Sequence, residues 1–431
     1  MSGLRAIARR ARESLFLIPV LIIGISGGIA GLALYVDSRS QEALESIPLI
    51  LSSTVSGGRS IATTVAGATI TVAAIVFSIT ALSSQIAANQ YSPRAVAGFF
   101  EDPFQQMVIG LIVGTFTYSL VVLAGLSSTL ASNSEPSVTL AVSLNVYLGV
   151  ASAIGIVAYI DHSLRRFQVD SVVRRIAQAT HRAVRRQDRN PRSGEGGTAA
   201  SLPSGEPVSI VAKRTGWVQR IDTGAMINAL PPGSSGRIGV RMGEAVAAGD
   251  QIITLWGIEG DPGQLADRLR SVIHIGRDRS VDSDPSFGIR QLVDIALKAL
   301  SPGVNDPTTA VDVVHQLKIP IREILLADAP TRVFGGPDGR KVYLAESPSR
   351  SDFVHAAFAE IRLAAAGQVS VLRALLEVLG DLQAALESSQ SVARGAAVEE
   401  EIAATIEMVG ESRFPEADER RALGRNDAEG G

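Results

Sequence analysis

The chain has 431 residues, no cysteine, a formal net charge of -3 and a mean hydropathy of +0.23. This length allows two or three domains, and the near-neutral charge argues against a protein that binds nucleic acid by bulk electrostatics. The absence of cysteine excludes disulfides, thiolate nucleophiles and zinc sites with cysteine ligands. The hydropathy is high for a water-soluble protein, and long uncharged segments account for it.

Four of these segments predict transmembrane helices. The first, residues 14–36, carries no charge over 23 residues, and a bilayer core of about 30 Å requires about 20 apolar helical residues. It is too long for the apolar region of a cleavable signal peptide, so we predict a retained anchor. The other uncharged runs are residues 60–93, 105 to about 128 and 137–160. Four spans place both chain termini on the same side.

The distribution of arginine indicates which side that is. Basic residues precede the first span, lie between the second and third, and follow the fourth, whereas the other two loops are acidic on balance. Because basic residues stay on the cytoplasmic side of a membrane, we predict cytoplasmic N- and C-termini. The residues that set this orientation are Arg5, Arg9, Arg10, Arg12, Arg94, Arg165, Arg166, Arg174 and Arg175.

The second span carries a stripe of small and polar residues on an otherwise Ile-, Val- and Leu-rich surface. One interpretation is close helix packing, since small and hydroxylated residues let membrane helices approach each other. The other is a wetted, hydroxyl-lined pathway in an oligomer. No acidic or basic side chain lies inside the spans, which argues against a proton-coupled transporter but leaves a weakly selective pore open. The stripe comprises Ser60, Thr64, Gly67, Thr71, Ala74, Ser78 and Gln85.

After the fourth span the chain becomes polar. We predict that the span continues as a basic helix, followed by a Gly/Ser/Pro linker at residues 190–207. Nine arginines lie between Arg165 and Arg192. They either contact anionic lipid headgroups or form only a solvated positive flank.

Residues 207–258 contain short β-rich runs separated by Gly and Pro-Pro turns, which predicts a small β-barrel or sandwich-like module. The run "VRMGEAVAAGDQIITL" resembles half of a biotinyl or lipoyl carrier domain. Such a carrier needs a lysine at a hairpin tip, and none lies between Lys213 and Lys298. We therefore predict no cofactor.

The remaining chain is predicted to be helical, apart from a charged, disordered tail. The predicted fold is an α-helical integral membrane protein with four transmembrane helices and a cytoplasmic α+β region. Helices are expected at residues 287–300, from 306 onward, and at 351–365, 369–387 and 397–409. The predicted segments are a basic N-terminus (1–13), the transmembrane domain (14–161), a basic helix and linker (162–206), the β-rich module (207–258), a helical domain (259–410) and the tail (411–431).

The stretch "ALSPGVNDPTTA" predicts a corner between two helices. Ser301, Pro302 and Gly303 end the first helix, since proline cannot continue it and glycine accepts left-handed dihedrals. Asp306 is the expected N-cap of the second helix, with Pro307 in its first turn. A turn explains the cluster fully, but Asn305 and Asp306 at a helix N-terminus also suit a ligand. A similar device, "YSPRAVAGFFEDPF", precedes the third span, with Asp102 as cap.

Three stretches carry a family resemblance: "ALSSQIAANQYSPRAVAGFFEDPFQQMVIGLIVGTFTYSLVVL", "TGWVQRIDTGAMINAL" and "FGIRQLVDIALKALSPGVNDPTTAVDVV". Together they resemble the bacterial family known as domain of unknown function 2254, which consists of predicted membrane proteins. The resemblance extends from about residue 15 to residue 409 and implies a multi-pass protein of the inner membrane. It implies no chemistry. The matching signature positions are Ser92, Pro93, Arg94, Ser301, Pro302, Gly303, Asn305, Asp306 and Pro307.

Common catalytic motifs give no support for an enzyme. The chain has no P-loop and no His-Glu-x-x-His motif, and its Gly-x-Ser-x-Gly match, "GISGG", lies inside the first span, where a nucleophile elbow cannot form. Asp282 and Asp284 are more simply explained as part of a polar connection in which Asp284 caps the next helix. We predict no catalytic and no metal-binding residues. The five histidines, His162, His181, His274, His315 and His355, are scattered.

Two functions remain after these exclusions. The first is an oligomeric pore or channel-like protein, a homo-oligomer in which the second span lines the axis and the cytoplasmic half regulates it. The alternative is a membrane-anchored scaffold or sensor whose cytoplasmic half binds a partner or a small ligand. A hydrolase or transferase in the soluble half ranks last because no catalytic constellation supports it.

Overall fold

The computed structural model describes residues 17–39, 54–90, 103–129, 139–166, 169–188, 202–258, 263–328, 332–412 and 414–423, without some side chains at helix ends. The chain divides between Gln168 and Val169 into two compact units. We call them the membrane unit and the C-terminal unit, and each is described by itself.

The membrane unit consists of four helices that are long and apolar enough to span a membrane. This confirms that a long apolar helix forms at each of the four predicted spans. The third helix is central, since it packs against each of the other three. The helices are α1 (Leu17–Asp37), α2 (Val55–Gln90), α3 (Pro103–Thr129) and α4 (Thr139–Arg166).

Glycines on α3 bring α1 close to it. A Cβ atom at Gly110 would lie 2.5 Å from Ile22 Cδ1, and one at Gly114 would lie 2.7 Å from Ser26 Oγ. These two glycines are four residues apart and therefore on the same face of α3. Because apolar surfaces gain nothing by leaving lipid, close van der Waals contact of this kind is what holds membrane helices together.

The strands of the C-terminal unit form two open sheets. One has the strand order β1-β5-β3-β8-β7 and the other β4-β2-β6, with no closed barrel in the part of the chain described. The predicted small barrel or sandwich-like module is therefore not supported. The strands are β1 (Val208–Val211), β2 (Gly216–Ile221), β3 (Ser235–Ile238), β4 (Ala245–Val246), β5 (Gln251–Trp256), β6 (Ile273–Gly276), β7 (Val333–Gly335) and β8 (Lys341–Leu344).

A long-range pairing explains the difference. Strand β8 pairs in parallel with β3, with Ser235 opposite Lys341 and Ile238 opposite Leu344. The five-stranded sheet thus takes two strands from a region whose pattern predicts only helices. Two short helices, α6 (Thr223–Ala229) and α7 (Gly263–Arg270), are inserted between strands, and Met226 and Leu269 are buried in the same core.

The remaining helices pack around α9 (Pro307–Leu326), which contacts four of them. The predicted N-caps are confirmed at Asp306 and at Asp284, which caps α8. The basic helix begins at Val169, and residues 167–168, where it is predicted to continue from the fourth span, lie outside the described residues. It buries Val172 and Ile176 against this helical group. The others are α5 (Val169–Asp188), α8 (Pro285–Ala299), α10 (Arg350–Ala364), α11 (Val369–Ser388), α12 (Ala396–Glu411) and α13 (Glu416–Ala422).

The start of the C-terminal tail is ordered. Helix α13 lies in the stretch predicted to be disordered, and it packs against α11 and α12 with Ala422 fully buried. Most residues of this helix are charged, and such a composition is typical of a disordered segment. The buried Ala422 is too weak a signal to reveal the helix from the sequence.

Candidate functional site

The polar stripe of α2 lies on the outside of the membrane unit. All seven stripe residues are exposed, whereas Ala62, Ala66, Thr69, Ala73 and Val76 on the same helix are buried. Each of these buried positions follows or precedes a stripe residue by two or three positions, and two residues correspond to about 200° of rotation around a helix. The stripe therefore faces away from α1, α3 and α4 and takes no part in packing within the unit.

Three of the four hydroxyls of the stripe donate to carbonyl oxygens of α2 itself. Thr64 Oγ1 donates to the Ser60 carbonyl oxygen at 2.8 Å, Thr71 Oγ1 to that of Gly67 at 2.8 Å, and Ser78 Oγ to that of Ala74 at 2.9 Å. Each hydroxyl oxygen keeps lone pairs with which it accepts further hydrogen bonds. The stripe is therefore compatible with lipid, with a second helix and with water.

One group of buried polar side chains in the membrane unit lies away from the stripe, between α3 and α4. Thr115 Oγ1 and Ser152 Oγ are 2.9 Å apart, and Ser119 Oγ donates to Asn145 Oδ1 at 2.7 Å. All four side chains are buried. The sequence gives no sign of this interface, since isolated Ser, Thr and Asn residues in an apolar run do not reveal which way they face.

A second group of polar contacts joins α2, α3 and α4. Thr80 Oγ1 lies 2.5 Å from the Tyr159 hydroxyl, and Gln105 Nε2 approaches Thr80 Oγ1 at 3.4 Å. Apolar residues around Ile112 and Val108 separate this group from the Thr115–Ser152 pair. The interior of the unit thus alternates polar and apolar layers.

Asp37 is a buried carboxylate. From the sequence alone it is only one of the charges in the loop after the first span. It is 2 % exposed, and its two oxygens accept the backbone N–H groups of Leu140 and Ala141, each at 2.9 Å. These N–H groups belong to the first turn of α4, where they have no acceptor within the helix. The last residue of α1 therefore caps α4.

The Ser301–Pro307 corner uses most of its polar groups for its own structure. Asp306 accepts the Thr309 N–H at 3.2 Å and the Thr309 hydroxyl at 2.6 Å. The residue in the left-handed region is Asn305, with φ 48°, and not Gly303 as the sequence suggests. Asn305 Oδ1 also accepts Gln368 Nε2 at 3.2 Å, which connects the corner to the start of α11.

A cleft of about 550 Å³ opens next to that contact. Helix α9 contributes Val311 and His315 to its walls, and α11 contributes Gln368 and Arg373. His315 Nε2 is buried and has no hydrogen-bond partner among the described residues. Charges of both signs line the cleft, namely Arg373, Glu377, Asp418 and Arg421.

The structure places the five histidines on five different elements. Among the described residues, no three His, Asp or Glu side chains are placed to hold a metal ion. His355 Nδ1 lies 2.9 Å from Oε1 of the buried Glu401, whose other oxygen accepts Arg362 Nε at 3.1 Å. This ion-paired group joins α10 to α12. His162 packs against Phe104, and His181, His274 and His315 lie on three different elements.

The remaining predicted positions have structural roles or fall outside the described residues. Asp284 accepts the Phe287 N–H and pairs with Arg279 at 2.5 Å, while Asp282 lies in the preceding turn. Gly24 and Gly28 of the "GISGG" match are exposed on α1, and no atom lies within 4 Å of a Cβ built on either. The positions outside are Ser92, Pro93, Arg94 and the Asp102 cap.

Comparison with known proteins adds a family and no activity. The family model described as "Predicted membrane protein (DUF2254)" matches residues 12–381. Proteins named only as uncharacterized, from Mycobacterium tuberculosis and Mycobacterium bovis, are 27% identical over 432 residues, which is 97% of this chain and 81% of theirs. No solved structure matches the chain.

Proposed function

The chain belongs to the DUF2254 family of predicted membrane proteins, and we propose that it forms a homo-oligomeric, channel-like assembly in the bacterial inner membrane. In this assembly the α2 stripes of several copies face a shared axis. The C-terminal unit acts as a cytoplasmic regulatory domain. The proposal includes the predicted domain boundaries and cytoplasmic chain termini, which the arginine distribution supports.

The observation that carries the proposal is the orientation of the stripe. Ser60, Thr64, Gly67, Thr71 and Ser78 are exposed, and they point away from every helix of their own unit. Large apolar residues of α2, such as Ile75 and Phe77, are exposed beside them and suit contact with lipid. A narrow small-and-polar face between apolar flanks is typical of a surface that a second membrane helix or water covers.

An oligomer with a central axis accounts for both properties of the stripe. Small residues let the α2 helices of adjacent copies approach closely, and the free lone pairs of the hydroxyls offer water acceptor sites along the axis. The described spans carry no ionised side chain along the stripe, so the pathway would be weakly selective.

Introduced cysteines test the stripe directly, because the chain has no native cysteine. Thr64→Cys, Thr71→Cys and Ser78→Cys are treated with a membrane-impermeant thiol reagent in proteoliposomes. We expect all three to react, because a wetted axis allows the thiolate to form. Phe77→Cys is the control, because Phe77 is exposed and lies one residue from Ser78, about 100° around the helix from the stripe, and it is expected to stay unmodified.

Two further readouts separate a pore from a dry interface. Oxidative cross-linking of Gly67→Cys should produce linked copies in either case, whereas ion or solute flux through the reconstituted protein requires a pore. Cross-linking without thiol labelling and without flux would show that the stripe is only an interface. Absence of cross-linking would refute the oligomer itself.

The proposal also assigns the basic segment from Arg165 to Arg192 to contact with anionic lipid. On α5, Arg182 and Arg186 are exposed, whereas Val172 and Ile176 are buried. In lipid nanodiscs, anionic lipid should raise the melting temperature of the full chain, and the double variant R182Q/R186Q should lose that increase. Equal melting temperatures in neutral and anionic nanodiscs would contradict the contact.

A second candidate function, a membrane-anchored sensor or scaffold, is favoured by the cleft between α9 and α11. Its lining carries both charge signs, which suits a small ligand with a cationic and an anionic group. The test uses thermal shifts of the full chain with a panel of amino acids. A shift that is lost in Arg373→Ala but kept in Lys318→Ala, a variant on the same unit, would support this function. No shift with any member of the panel would count against it.

A further inference from the structure

The polar contacts between α3 and α4 form a column that begins at Asp37. Asp37 accepts the N–H of Ala141, the Ala141 carbonyl oxygen accepts the Tyr118 hydroxyl at 3.0 Å, and Asn145 follows one turn later. The Ser152–Thr115 pair lies two further turns along α4. From Ala141 to Ser152 the column covers about 16 Å of helix axis, which is half of a bilayer core.

The side-chain amide of Asn145 is hydrogen-bonded at one end only. The residue is fully buried, Ser119 donates to its Oδ1, and its Nδ2 has no hydrogen-bond partner among the described residues. Exchanging the amide oxygen and nitrogen does not remove the problem, because the atom turned away from Ser119 is then an oxygen without a donor. In either orientation, one end of the amide requires a further partner.

Water has the hydrogen-bonding chemistry that this position requires. A buried polar group without a hydrogen bond is strongly unfavourable in an apolar interior, and buried waters in proteins typically satisfy such groups. A water molecule both donates and accepts, so it suits Asn145 in either orientation. Lipid chains carry no hydrogen-bonding group and cannot take its place.

We propose that the membrane unit binds water internally between α3 and α4, at Asn145, and that this hydration site belongs to the polar column from Asp37 to Ser152. The column ends at the apolar layer around Ile112 and Val108, beyond which lies the Thr80–Tyr159 contact. The proposed water therefore lies on one side of this apolar layer. The site is independent of the α2 stripe and of any assembly built on it.

Hydroxyl-radical footprinting tests the site on the full chain in lipid nanodiscs. An X-ray pulse converts bound water into hydroxyl radical in place, and mass spectrometry then locates oxidised side chains. Tyr118 is fully buried, and its hydroxyl donates to the carbonyl oxygen of Ala141, one turn before Asn145 on α4. Leu126 is equally buried further along α3. Relative to the intrinsic reactivity of each side chain, we expect Tyr118 to be oxidised several-fold faster than Leu126. Equal protection of the two would overturn the proposal.

Asn145→Leu provides the second arm. The change removes the amide at nearly constant volume, so it should abolish the excess oxidation of Tyr118 and lower the melting temperature by a few degrees. In a dry site, the same change removes an unsatisfied group, and the melting temperature would stay the same or rise. That result would also overturn the proposal. Ser127→Ala, at an exposed hydroxyl of α3, is the matched control and should change neither readout.

Discussion

Asp37 places a carboxylate where the first N–H groups of α4 have no acceptor within their own helix. The positive end of the helix dipole favours a negative charge there, and two hydrogen bonds of 2.9 Å hold it. Because the contact joins the end of α1 to the start of α4, it fixes the relative positions of two spans. A single residue therefore sets the packing at one end of the membrane unit.

Replacing Asp37 should destabilise the membrane unit. Hydrogen bonds to a charged group contribute about 1.5 to 3 kcal/mol, so Asp37→Ala is expected to lower the unfolding free energy by about that amount. Asp37→Asn keeps one acceptor oxygen and should lose less. Thermal melting of the full chain in detergent measures both, and Ser38→Ala, at the neighbouring exposed hydroxyl, is the control. Similar losses for alanine and asparagine would argue against a capping role.

The ionised carboxyl of Asp312, on α9, lowers the stability of the C-terminal unit at neutral pH. Partial burial raises the pKa of its carboxyl, the neighbouring Asp170 carboxylate raises it further, and His315 and Arg174 oppose the rise. An acid whose pKa is higher in the folded state than in the unfolded state lowers stability once the pH exceeds both values. Asp312→Asn should therefore raise the melting temperature of the C-terminal unit at pH 7.

The gain from Asp312→Asn should shrink as the pH falls towards about 4, where the unfolded carboxyl also becomes protonated. Asp352 is a control of opposite sign. Hydrogen bonds from the backbone and side chain of Ser349 lower its pKa, so Asp352→Asn should reduce stability at pH 7 and lose its effect in acid. Melting curves of both variants between pH 2 and 8 provide the comparison, because the effect of Asp352→Asn disappears only below the ordinary carboxyl pKa of about 4. Equal effects of the two variants at pH 7 would be inconsistent with these pKa shifts.

At the scale of elements, the corner between α8 and α9 is specified by its cap. Asp306 satisfies the N–H and hydroxyl of Thr309, and its own N–H donates to the Ala299 carbonyl oxygen at 2.8 Å. Asp306 is thus hydrogen-bonded both to the last residue of α8 and to the first turn of α9. This explains the signature of the corner without a ligand, although Asn305 and the adjacent cleft remain open to one.

Asp306→Ala should therefore lower the stability of the C-terminal unit by about 0.5 to 2 kcal/mol, the usual loss for an N-cap. Gly303→Ala is the matched control in the same turn, because no atom lies within 4 Å of a Cβ built there and its backbone is not left-handed. Chemical denaturation of the full chain, followed by circular dichroism, measures both. A larger loss at Gly303 than at Asp306 would contradict this account of the corner.

Elements with a strong pattern in their own sequence could be predicted, whereas elements that depend on distant parts of the chain could not. The third span is expected at 105–128 and forms Pro103–Thr129, because charge is absent throughout and proline marks its start. Strands β7 and β8 have three and four residues, and β8 pairs with β3 about a hundred residues earlier. Such short runs carry too little periodicity to be read alone. The orientation of Asn145 is equally hidden, since packing decides which face of an apolar helix is inside.

For the whole molecule, the number of membrane spans decides whether the two ends of the chain lie on the same side of the bilayer. The four candidate spans begin at Leu17 and end near Ser163. In the assembly that we propose all four cross the bilayer, which places the N-terminal residues and the C-terminal unit on the same side. The positive-inside rule then selects that side from the arginines of the N-terminus and of the segment after α4. The regulatory role proposed for the C-terminal unit depends on this placement.

Reporter fusions in a bacterial host test the placement. Green fluorescent protein fused after Gly431 should fluoresce, because it folds in the cytoplasm, and alkaline phosphatase at the same site should be inactive. Alkaline phosphatase fused after Ser132, behind the third span, should be active, because an odd number of spans carries it across the membrane. Replacing Arg5, Arg9, Arg10 and Arg12 by glutamine should weaken the orientation, since it removes the positive charge that retains the N-terminus. Active phosphatase at Gly431 would show that the spans or their direction are different, and the assembly proposed above would then have its C-terminal unit on the wrong side.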